Sequence, residues 1–156
     1  MITAHLPSGY VLGRALKAQQ WVMAAAMFGA VFPDFDMIWF HLVDNKAFHH
    51  HYYWVHIPAF WLITGATLLI AARLIMPRAL PVLGGFLAGI ALHLLLDTFA
   101  GGIAWSWPTS RHLTTLATVP ATQSHWVLSF LLHWSFLAEL AIWAAAIALY
   151  FKRKTT

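Results

Sequence analysis

The chain has 156 residues, 61% of them apolar and only 9% charged. A soluble domain usually carries about 25% charge, so the composition excludes one and points to a membrane protein. The absence of cysteine removes disulfides, thiolate metal sites and a cysteine nucleophile. The basic residues behind the net charge of +4 are few and scattered, which suits a topology signal better than a nucleic-acid surface.

In chain order, "MITAHLPSG" has no basic stretch ahead of an apolar core. No cleavable signal peptide is expected, and His5 stays in the protein. "LPSGYVLGRALKAQQ" is moderately polar, and "WVMAAAMFGAVF" (21–32) is too short to cross a bilayer alone. The latter should stop at Pro33, because the residue before a proline avoids the helical region. Together these two stretches predict a helical hairpin. Three later stretches, 57–72, 80–99 and 126–151, approach or exceed the roughly 20 residues that a bilayer requires. No repeat or linker interrupts the chain. The expectation is one all-α domain, 1–156: a polytopic membrane helical bundle with an N-terminal helical hairpin and three longer transmembrane helices.

Arg73 and Arg78 lie between the first two spans, and Lys152, Arg153 and Lys154 follow the last. The positive-inside rule makes that side, with the C-terminus, cytoplasmic. The Trp105–Ser124 loop is then outside, with Trp105, Trp107 and Trp126 as an interfacial belt. At about 1.5 Å per helical residue, His56 is about 25 Å from Arg73, and His93 and Asp97 roughly 22–28 Å from Arg78. Asp34 is about 21 Å from Gln20, His5 about 18 Å from Lys17, and Glu139 about 20 Å from Lys152. Segments running in different directions thus bring their polar residues to one level, toward the outer face.

Several motifs at that level carry chemistry. "FHHHYYWVH" (48–56) places His49, His50, His51 and His56 in nine positions, and its aromatic residues argue for partial burial. "HLLLD" sets His93 and Asp97 at i and i+4, one turn apart on one helix face. Such a pair either shares a cation, as mixed N/O ligands do, or forms a buried hydrogen bond. "FPDFD" offers Asp34 and Asp36, whose mutual repulsion a divalent cation would relieve. Capping of the next helix by one of them is the simpler reading. Glu139, inside the last span, must be protonated or paired, and is a candidate ligand or general base. His41, His112, His125 and His133 read as interfacial or structural.

The order of an early histidine, "PDFD", "HYYWVH" and "GIALHLLLDTFAGGIAWSWP" resembles the bacterial inner-membrane family of membrane-bound metal-dependent hydrolases (YdjM-like) over residues 3–111. The resemblance implies metal ligands at His5, Asp34, Asp36, His51, His56, His93 and Asp97. That family is distantly similar to zinc-dependent phospholipase C and the single-strand nucleases, which use one glutamate as well, the role Glu139 would take. Tyr52 and Val55 stand where the family pattern has Arg and Thr. Arg111, in "WPTSRHL", would replace the lost phosphate contact from the outer loop. Asp34, Glu139 and Arg111 are the candidate catalytic residues.

Seven or eight N/O ligands exceed the needs of one zinc, so two or more ions are expected, with Mn2+ or Mg2+ as substitutes. The implied reaction is hydrolysis of a phosphoester, lipid-linked given the depth of the site, by metal-activated water. The partners are then the bilayer and that substrate, without nucleic acid. A metal-ion or proton transporter would use the same residues as a pathway, but the cytoplasmic half offers mainly Arg14, Lys17, Gln19 and Gln20. An inactive membrane scaffold is the remaining alternative.

Overall fold

The computed structural model describes residues 3–154, with side chains for 3–152. The C-terminus and the side chains of Arg153 and Lys154, which carry part of the topology expectation, lie outside the described residues. The described residues form seven α-helices: α1 (His5–Ala15), α2 (Gln20–Val31), α3 (Asp36–Leu42), α4 (Pro58–Ile75), α5 (Leu80–Ala100), α6 (Trp126–Leu131) and α7 (Phe136–Lys154). No strand forms among them. One antiparallel bridge, Ile103 to Thr114, pins the loop that follows α5.

The N-terminal hairpin is present. Beyond α1, Lys17 adopts φ +50° and Ala18 N–H returns to the Gly13 carbonyl at 2.9 Å, turning the chain into α2. α2 then packs on both α1 and α5, while α4 lies on α5 and α7 on α1. The α2–α5 contact is backbone against backbone. A Cβ at Gly29 would sit 2.0 Å from the Phe86 carbonyl oxygen, and one at Gly89 would sit 2.2 Å from that of Ala26. Small residues permit such approach between membrane helices, where packing replaces the hydrophobic effect.

Among the described residues, three helical runs are long and apolar enough to cross a membrane: Gln20–Leu42, Pro58–Ile75 and Pro77–Ala100, with mean hydropathies of 1.4, 1.7 and 2.1. The second and third match the expected spans. The first corrects the expectation that helix stops before Pro33. Phe32 keeps helical angles (φ −57°, ψ −43°), and Phe32–Phe35 tightens into one 3₁₀ turn that leads straight into α3. Proline at the start of this new turn lacks an N–H that would have had no partner there. The expected span 126–151 is instead two helices. The chain breaks at residues 132–135, where the His133 ring bonds the Ser135 hydroxyl at 2.8 Å. α7, which carries Glu139 and a basic end, is not among the three apolar runs.

Ile90, Leu94 and Ile103 form a small apolar core, packed by Phe32, Trp61, Phe86 and Leu87. Most large apolar side chains point outward instead, among them Leu62, Ile63, Ile70 and Leu74 of α4. In a membrane helix these face lipid, so they need no protein cover. The helix ends explain the polar level. His5 opens α1, Asp34 follows α2, His56 precedes α4, Asp97 sits in the last turn of α5, and Glu139 lies in the first turn of α7. Arg14, Lys17, Arg73, Arg78 and Lys152 mark the opposite ends of the same helices.

Candidate functional site

The polar ends converge on Asp97, which is 1% exposed. Its Oδ1 lies 3.2 Å from His5 Nε2, and its Oδ2 lies 3.0, 3.4 and 3.7 Å from the Nε2 atoms of His93, His51 and His56. Asp34 reaches the same place from the 3₁₀ turn, with an oxygen 3.9 Å from each of His5 and His93. The His5 and His93 rings stack at 3.9 Å. On the other side, the 3₁₀ turn His50–Tyr52 and the next one, Trp54–His56, carry His50, His51 and His56 inward. Asp36 stands behind them, 3.4 Å from His50 Nδ1 and 2.9 Å from His56 Nδ1.

Two groups of ligand atoms result, each within 4.8 Å: His5, Asp34, His93 and Asp97 in one, and His50, His51 and His56 in the other. Asp97 lies between them. These groups could hold metal ions, and the hydrogen bonding around them tests the fit. His93 Nδ1 is 2.8 Å from the Ala30 carbonyl, and His51 Nδ1 is 2.6 Å from the Gly102 carbonyl. A carbonyl only accepts, so each Nδ1 carries the proton and donates. The Nε2 atom of each ring then faces the Asp97 carboxylate, an acceptor. His51 is held neutral, because burial pushes its pKa down to about 2, reinforced by His50 and His56 and only partly opposed by Asp97. Burial likewise pushes His56 down. The His51 lone pair, 3.4 Å from the Asp97 carboxylate, is repelled by it unless a cation lies between them. Asp36 adds a second sign: both its oxygens are buried yet lack hydrogen-bond geometry, despite the 2.9 Å approach of His56. The donor set therefore fits divalent metal, with the Ala30 and Gly102 carbonyls orienting the imidazoles as outer partners of metal-ligating histidines do.

The local sequence builds these braces. The switch from α to 3₁₀ after Val31 leaves the Ala30 carbonyl for His93. Gly101 allows His51 to come close, since a Cβ there would lie 2.7 Å from its Cε1. Gly102 adopts φ +88°, which turns its carbonyl onto the same ring.

A family model, YdjM inner membrane protein, matches residues 1–155. The chain belongs to the YdjM inner membrane protein family. Neither the curated proteins nor the solved structures give a match. The family and the three apolar runs together make this YdjM chain a membrane protein.

All seven residues named as ligand candidates in this YdjM chain gather at one place, with Asp36 as the outlying member. His50 is the addition. A 3₁₀ turn sets neighbours about 120° apart, so two adjacent histidines reach inward together. His49 does not; its ring caps the turn by accepting from His51 N–H at 3.2 Å. Glu139 stands outside both groups. It is fully buried, and its carboxylate accepts from Thr3 N–H (2.9 Å) and the Thr3 hydroxyl (2.6 Å), while Trp143 Nε1 donates to that hydroxyl at 3.1 Å. It thereby ties α7 to the segment that leads into His5. Arg111 also lies apart from both groups, lining a cavity with Tyr52. His41, His112, His125 and His133 join neither group among the described residues.

Proposed function

We propose that this YdjM chain is a membrane-embedded metal-dependent hydrolase that acts on phosphoester bonds. One observation carries the reading: His51, fixed by the Gly102 carbonyl, turns an unprotonated nitrogen onto the buried Asp97 carboxylate, on which the Nε2 atoms of His5, His56 and His93 also converge. Two zinc-type ions bound there, or Mn2+ or Mg2+ in their place, would lower the pKa of a water to about 7 and bind phosphoryl oxygens as a Lewis acid. His5, Asp34, His93 and Asp97 would hold one ion, and His50, His51 and His56 the other, with Asp97 between. Asp34 is the most open carboxylate of the site, with its side chain 35% exposed against 5% for Asp36 and 2% for Asp97. It is the carboxylate that incoming water meets, and so the best placed to take a proton. Glu139 holds the N-terminal segment, and so keeps His5 in register. The purified protein should contain about two zinc ions per chain and cleave a generic phosphodiester. Absence of bound metal after purification without chelator, together with no cleavage, would overturn the reading.

The basic helix ends support placing the site toward the outer face, with Arg73–Arg78 cytoplasmic. Thr115 is exposed in the loop at the site's end of the bundle. With no native cysteine to interfere, Thr115→Cys should react with an impermeant thiol reagent in intact cells. Reaction only after lysis would invert the orientation. A cation pathway is the weaker reading, because the ligand groups all lie at one end of the helices and Arg14 and Lys17 line a pocket at the other.

A further inference from the structure

Beside the ion site lies a cavity of about 480 Å³, lined by Phe48, Tyr52, Ile57, Ala104, Trp107 and Arg111. That volume is within the range of ligand pockets, roughly 300–1,000 Å³. Its lining residues share backbone with the site: Tyr52 follows His51, Ile57 follows His56, and Ala104 lies two residues past Gly102, whose carbonyl holds the His51 ring. Ile57 and Ala104 are buried and form its floor, whereas Phe48, Tyr52, Trp107 and Arg111 are exposed at its rim. All six residues lie outside the three apolar runs, at the end of the bundle where a headgroup layer would be.

The lining is unusual in its mixture. Five of its six members are apolar or aromatic, and the sixth is a guanidinium with which no carboxylate pairs among the described residues. An inorganic anion would gain from Arg111 but not from the aromatic walls. An uncharged hydrocarbon would gain from the walls and leave the cation unmatched, and a cationic amphiphile would be repelled. The ligand that suits both parts bears one phosphate and an apolar chain. Arginine takes two phosphate oxygens at once in a forked contact, and apolar contact with the walls removes the chain from water.

We propose that this cavity binds the substrate of the neighbouring site, and that the substrate is a lipid phosphoester: Arg111 grips its phosphate, and Phe48, Tyr52 and Trp107 cover the start of its chain. This rests on the hydrolase reading for the word substrate, but binding can be measured without turnover. The full-length, metal-loaded protein in nanodiscs of zwitterionic lipid is titrated calorimetrically with dodecylphosphonate, which has no ester to cleave, using empty nanodiscs as the blank. Saturable binding is expected, at least ~10-fold tighter than for methylphosphonate or dodecanol. Arg111→Gln should weaken it at least ~10-fold, and Tyr52→Ala several-fold, with bound zinc unchanged in both.

Equal binding of methylphosphonate would make this a free-anion site, and equal binding of dodecanol would make it a greasy cleft; either overturns the proposal. So does binding that vanishes with chelator but ignores Arg111→Gln, since the ligand would then belong to the ions alone. Arg111-dependent binding in a protein that cleaves no phosphoester would sustain the cavity and defeat the hydrolase reading only.

Discussion

Asp97→Asn is expected to lower phosphodiester hydrolysis at least ~100-fold, about 2.7 kcal/mol of barrier. Asp97 lies within 4 Å of His5, His51, His56 and His93. The amide keeps the volume and can still hydrogen-bond, so α5 should stay packed. It removes the negative charge on which four imidazoles converge, and an amide oxygen is a poor substitute for a bridging carboxylate. The loss should therefore appear mainly in kcat rather than in protein yield. The same variant separates enzyme from transporter. Proteoliposomes of wild-type or Asp97→Asn protein should pass no zinc. Wild-type protein that carries zinc across a bilayer, and cleaves nothing in a broad phosphoester panel, would end the hydrolase account.

The second large effect is expected from His93→Ala, which should lower metal content and melting temperature together. His93 is completely buried, stacked on His5, and bonded to the Ala30 carbonyl. Without it, Asp34 and Asp97 lose a shared partner in a site that excludes most water. Ions bound only by the folded state stabilise it by mass action, by about 2.7 kcal/mol at a hundredfold excess over Kd. The melting-temperature gap between metal-loaded and chelated protein should therefore shrink by at least half in the variant. Chelated wild type and chelated variant should also be compared, because a difference there measures only the lost packing. Unchanged zinc stoichiometry in His93→Ala would remove His93 from the site.

Much of the site was legible because height along a helix can be counted. Residues a fixed number of turns from a basic helix end had to share a level, and His5, Asp34, His56, His93 and Asp97 do meet there. The i, i+4 spacing of His93 and Asp97 also holds, at 3.0 Å. Rotation about the helix axis is not countable in this way. Glu139 has the right height, yet α7 packs on α1, so its carboxylate meets Thr3 and stands outside the two His/Asp groups. Within "HHH", the choice depended on the backbone. A 3₁₀ turn sends His50 and His51 inward and leaves His49 as its cap, which no side-chain periodicity signals. Pro33 misled for a related reason: proline disfavours helix before it only as a tendency, and here the α2–α5 contact holds Phe32 helical. The break at 132–135 rests on a short polar contact inside an apolar stretch, which hydropathy averages away.

The glycine seam between α2 and α5 bears on ion choice. Asp34 hangs from the end of one of these helices, and His93 and Asp97 project from the other. Where main chain rests on main chain at Gly29 and Gly89, no side chain can change rotamer to let the helices part. For an ion held at the site, this close contact would set the spacing across the centre. Zinc bonds to nitrogen at about 2.0–2.1 Å, whereas calcium asks for oxygen at roughly 2.3–2.6 Å and more ligands. A frame that cannot breathe should admit the small ion and refuse the large one, so discrimination would come from stiffness as much as from donor chemistry.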